Sequence, residues 1–102
     1  MLRPILCLTV ALAASTPALA DLALAQKHAC TACHGVDKKI VGPSYQDVAK
    51  KYAGQKDAVA LLSASIKAGG SGKWGPVPMP PQAALSDADI RALASWIAGG
   101  AR

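Results

Sequence analysis

Phenylalanine is absent from the 102-residue sequence, and only four aromatic residues occur: Tyr45, Tyr52, Trp74 and Trp96. Aromatic rings are the bulkiest core fillers, so this chain cannot build its interior from them alone. Cysteine is sparse, with Cys7, Cys30 and Cys33, which excludes a disulfide framework. No segment alternates apolar and polar residues as a half-buried strand would, and no internal repeat is present, so sheet and solenoid architectures are set aside. The longest apolar run, from Ile5 to Ala14, is about ten residues, short of the roughly 20 that span a bilayer. Net charge is +5, and no nucleic-acid reader motif accompanies it.

The first 20 residues have a different character from the rest. Arg3 opens them, the apolar run follows, and Ala18-Leu19-Ala20 is a small-x-small site. This is the layout of a secretory signal peptide cut after Ala20, with Cys7 leaving in the removed piece. Residues 21–102 then form one small domain. Such a chain buries a modest core and usually needs a staple. A Cys30–Cys33 disulfide would close a tiny loop and constrain little of the unfolded chain, so the staple must be something else.

The remainder reads as short helices. Asp21 can cap a helix from Leu22 to about Ala29. Tyr45, Val48, Ala49 and Tyr52 share one face of a second helix that Gly54 stops. Asp57 can cap a third, with Leu62 and Ile66 inward and Gly69 at its end. The last helix is the clearest. Ser86 is its N-cap, Asp89 stands three residues on, and Leu85 and Ile90 are spaced as a hydrophobic staple. Ile90, Leu93, Ala94 and Ile97 form its buried stripe, and Gly99 ends it. Between the third and fourth helices lies GGSGKWGPVPMPPQAAL, residues 69–85, without helical period. A loop this long in a small domain needs a purpose. Pro76, Pro78, Pro80 and Pro81 stiffen it around Met79, the one methionine left after cleavage.

The chemistry concentrates in CTACHG, residues 30–35. Zinc would need four ligands, usually in pairs. Here Cys30, Cys33, His34 and His28 fall within seven residues with no second cluster. A thioredoxin-like dithiol would follow a strand, and this segment follows a helix. C-x-x-C-H is also the attachment site of c-type haem, and this reading leads the other two. Two thiols add across the haem vinyl groups and become thioethers, which holds the adjacent histidine under the iron. The apolar face of haem also supplies the core that the side chains lack. His28 precedes Cys30 by two residues and is expected at the surface, on the attachment side.

CTACH (30–34), VGPSYQDVAKKYAG (41–54), IKAGGSGKWG (66–75), PVPMPP (76–81) and the last helix with Trp96 together resemble the short monohaem class I cytochromes c of bacteria, the five-fifty-one and five-fifty-two type. The resemblance covers essentially all of residues 21–102. It implies an all-α fold of three to five short helices wrapped around one covalently attached haem c. It implies Cys30 and Cys33 as the thioether residues, His34 as proximal iron ligand and Met79 as distal ligand. The Pro43 carbonyl would accept the proton on the second His34 nitrogen. Trp74 would donate its indole N–H to a haem propionate, and Gln82 stands where relatives often place an asparagine bonded to the methionine sulfur. Two departures stand out. Ser65 occupies a place where relatives often put a basic residue near a propionate, and Ala25 one where some have a phenylalanine. The interface of the terminal helices is therefore expected to rest on Leu22, Leu24, Leu93 and Ile97.

Two protein ligands leave no open position for a substrate, so an electron carrier is expected rather than an enzyme. The expected location is the periplasm, with no membrane insertion after cleavage, and the expected state a monomer. The resemblance implies a quinol-oxidising membrane complex as donor and a terminal oxidase or nitrite reductase as acceptor. Ten basic against six acidic residues in 21–102, with Lys27, Lys38, Lys39 and Lys73 near the two ligand segments, suit acidic-faced partners. A haem-based redox or gas sensor, and a dissociable haem subunit of a larger oxidoreductase, are the alternative functions.

Overall fold

The computed structural model describes residues 21–102; the leader and its cleavage site lie outside the described residues. Four α-helices follow in order: α1 (Leu22–Lys27), α2 (Tyr45–Tyr52), α3 (Ala58–Ala68) and α4 (Asp87–Ala98), with a 3-10 turn at Cys30–Ala32. The fold is all-α, with only two isolated bridges, His34 to Lys39 and Gly70 to Met79, among the described residues.

Three helices begin on a side-chain cap. The Asp21 carboxylate accepts from Leu24 N–H at 3.2 Å. Ser44 Oγ accepts from Asp47 N–H, and Ser86 Oγ from Asp89 N–H, each at 3.1 Å. Such caps satisfy backbone donors that the first turn leaves unpaired. Asp57 departs from expectation. It precedes α3, but its side chain makes no capping bond, and its backbone (φ −100°, ψ 17°) is not the extended conformation of a capping residue. The helix is held instead by its buried residues Ala58, Leu62 and Ile66. The first helix is also shorter than its spacing predicts. It stops at Lys27, because Ala29 turns left-handed at φ 60° to start the 3-10 turn.

The last helix is the hub, in contact with α1, α2 and α3. Ile90, Leu93, Ala94 and Ile97 are all buried on it, as the stripe predicts. The contact with α1 differs from expectation. Ala25 is fully buried, whereas Leu22, at the start of the helix, stays 37% exposed. A small residue is thus the fully buried one on α1. Leu24 packs alongside, partly buried.

Candidate haem site

Backbone hydrogen bonds shape the CTACHG segment. Cys30 O accepts from Cys33 N–H at 3.2 Å and from His34 N–H at 3.0 Å. Cys33 O accepts from Val41 N–H at 3.1 Å and from Gly42 N–H at 2.8 Å. The chain thus folds back so that Gly42 and Pro43 lie under the histidine. His34 Nδ1 donates to the Pro43 carbonyl at 2.7 Å, which fixes the ring and leaves Nε2 as its free lone pair. A Cβ on Gly42 would stand 2.6 Å from the imidazole Cε1, so only glycine permits this approach. Tyr45 stacks on His34 with centroids 5.4 Å apart, and Trp96 meets Tyr45 edge-on at 5.1 Å.

Met79 arrives from the other side. The bridge between Gly70 and Met79 is closed by two hydrogen bonds, Gly70 N–H to Met79 O at 3.0 Å and Met79 N–H to Gly70 O at 2.8 Å. Gly69, at φ 66°, lies under this strap. A Cβ there would stand 2.7 Å from Pro81 N and press on the Met79 carbonyl. The long loop is therefore an ordered strap that presents one methionine, as its prolines suggest.

A cavity of about 410 Å³ separates the two segments. Cys30, Cys33, His34, Trp74 and Met79 line it, with Leu62, Ile66, Leu93 and Ile97 among its apolar walls. Pro43 lines it too; Gln82 does not. The Gln82 amide donates to the Pro80 carbonyl at 3.1 Å and makes no bond to the Met79 sulfur in this structure. Trp74 is 39% exposed, and the ammonium of Lys51 lies 4.5 Å from its ring centroid. His28, expected at the surface, is partly buried. Its Nε2 pairs with the Asp89 carboxylate at 3.1 Å, with the ring 19% exposed, and so ties the end of α1 to the start of α4. That partner is 61 residues away, beyond the reach of local pattern.

The donor set fits haem c. Two free thiols, an imidazole with one nitrogen already committed, and a thioether surround one apolar space. Tyr45 also lines this space, and its hydroxyl is buried without a hydrogen-bond partner. The competing chemistries fit less well. Burial pushes the Cys30 thiol above its ordinary value, the reverse of a reactive dithiol. Among the described residues, no three His, Cys, Asp or Glu side chains converge as a zinc cage requires. Gly42, Gly69 and Lys51 complete the site but carry no chemical signature in the sequence; Gly-Pro ahead of the Ser44-x-x-Asp47 cap is the one local sign that a tight turn precedes α2.

A family model described as Cytochrome c matches residues 22–100. Cytochrome c-551 of Allochromatium vinosum is 55% identical over 89 residues, covering 87% of this chain and 95% of that protein. Cytochrome c-552 of Hydrogenobacter thermophilus is 60% identical over 74 residues, covering 72% and 74%. The crystal structure of Nitrosomonas europaea cytochrome c552 superposes with a TM-score of 0.76 at 51% identity, covering 78% of this chain and 99% of that one. Taken with the donor set around the cavity, these matches show that the chain belongs to the cytochrome c family, as an electron-transfer protein with one covalently attached haem c.

Proposed function

We propose that residues 21–102 act as a periplasmic, monomeric one-electron carrier, released from a leader at 1–20. The observation that carries this reading is the placement of His34 and Met79 on separately anchored segments lining one cavity. Bound haem supplies a one-electron iron couple. Cys30 and Cys33 would hold it through thioethers. The His34 imidazole, oriented by Pro43 O, would present Nε2 to the iron. Met79, on the facing segment, would supply a second ligand, and its soft sulfur would favour the reduced state. Trp74 would donate to a propionate. Gln82 keeps the strap in place through Pro80 O, and a bond to the sulfur would require its amide to swing away.

Acidic-faced partners suit the lysines that flank the attachment segment. A quinol-oxidising complex as donor and a terminal oxidase or nitrite reductase as acceptor fit a small exported carrier. The test is carbon monoxide binding to the reduced protein at neutral pH. A firm Met79 ligand resists it. Fast, stoichiometric binding would overturn the carrier reading in favour of a gas sensor. Co-elution with a larger oxidoreductase on gel filtration of a native extract would overturn the monomer.

A further inference from the structure

Among the described residues the cavity carries no carboxylate on its walls, and besides His34 its only basic residues are Lys39 and Lys73. A ligand with two carboxylates, such as haem, needs countercharge there, and Ser65, which also lines the cavity, supplies none. The two lysines are differently placed. Lys39 belongs to the attachment side, where its backbone bridges to His34. Lys73 belongs to the strap, next to Trp74. Its ammonium donates to the Tyr52 hydroxyl at 2.9 Å and lies 5.6 Å from the centroid of that ring.

The pairing is interlocked. Lys51 and Tyr52 are neighbours at the end of α2, and Lys73 and Trp74 are neighbours on the strap. Lys51 sits over Trp74 while also donating to Lys73 O at 3.5 Å; Lys73 sits on Tyr52. Each cation is thereby held by the other segment. Because the Tyr52 oxygen accepts from the ammonium, its own O–H proton remains available as a donor. Tyr52, Lys73 and Trp74 all line the cavity, so a positive charge and a hydroxyl proton meet on the wall that the indole shares.

We propose that Lys73, positioned by Tyr52, is the cationic partner of a haem propionate and substitutes for the basic residue that Ser65 does not provide. The assignment rests on the haem reading above. A cation paired with the propionate keeps that carboxylate ionised and favours the reduced haem. Lys73 then serves the cofactor rather than the docking surface.

Spectroelectrochemical titration of the holoprotein from roughly pH 5 to pH 9 tests this, with the covalent haem of each variant verified by its pyridine haemochrome spectrum. The titratable groups facing Lys73 are Tyr52 and Lys51 from α2; α3 and α4 present none to the cavity. For Lys73→Gln, the reduced-to-oxidised ratio at fixed ambient potential should fall about threefold near pH 8. The fall should shrink toward pH 5, where the unpaired propionate takes up a proton, so the variant's potential declines with pH more steeply than the wild type's. Lys73→Arg should restore the wild-type profile. Tyr52→Phe should shift it the same way by less, and Lys39→Gln should leave it in place. A Lys73→Gln protein that carries haem and titrates like the wild type overturns the proposal while the haem reading stands. So does unchanged potential with a slower, less salt-sensitive partner reaction, which would return Lys73 to the docking surface. Wild-type protein without covalent haem would overturn both.

Discussion

Residues 28–45 and residues 69–82 are both irregular, and they face each other across one cavity, yet they are held by opposite means. The attachment segment is held from within. Cys30 O and Cys33 O each accept two backbone donors, and Tyr45 N–H reaches back to Gly35 O at 2.9 Å. The strap is held at its ends by backbone bonds and in its middle by side chains from α2. Gly70 and Met79 pair, Gln82 N–H bonds Ile66 O at 3.1 Å, and between them the backbone closes only the Gly72 to Gly75 turn, while Lys51 and Tyr52 hold Lys73 and Trp74. Val77, at the tip, is 59% exposed. The histidine side is therefore a property of local sequence, whereas the methionine side is a property of the assembled fold. Segments with few buried contacts open first, so ligation by Met79 is expected to be the weaker of the two.

The largest break in this contrast comes from the attachment side. Cys30→Ser with Cys33→Ser should abolish covalent haem and leave the chain largely unfolded, because so small a core is marginal by itself. Haem-stained denaturing gels and far-UV circular dichroism check this; a stained band in the double variant would refute the thioether assignment. Met79→Ala comes next. It should keep haem attached, admit carbon monoxide to the reduced protein and lower the potential, because water or hydroxide favours ferric iron. Met79→His should lower the potential with the position still closed.

Two glycines sharpen the comparison at smaller scale. Gly42→Ala should push on the imidazole, and Gly69→Ala on the backbone of the strap. Each should cost about 1–3 kcal/mol in urea unfolding of the holoprotein. Only Gly69→Ala should speed carbon monoxide entry, because only the strap carries Met79. Smallest is the charge effect. Reversal of Lys27, Lys38 and Lys39 to glutamate should slow transfer to an acidic partner about severalfold at low salt, with the difference fading as salt rises. Rates that ignore salt would make these lysines a solvated surface only.

The helices were legible where a cap and a stripe coincide. Ser86 and the Ile90–Ile97 stripe place α4 within a residue of its observed span. Asp57 misled because its residue type suits a cap while its backbone does not adopt one. The residues proposed to hold haem could be named from sequence because CTACH and a proline-bound methionine are compact signals, and the fold brings them to one cavity. What the sequence hid are pairings between distant segments. His28 with Asp89, Lys51 with Trp74 and Lys73 with Tyr52 each join residues more than 20 apart, and no local period encodes them.

The hub helix is also the last of the four described helices in chain order. Until Asp87–Ala98 has emerged, α1, α2 and α3 lack the common surface on which they meet. The N-terminal half, with Cys30 and Cys33, is complete long before that surface exists. The order of synthesis thus leaves both thiols in an open chain for an interval, and closing the domain waits for α4.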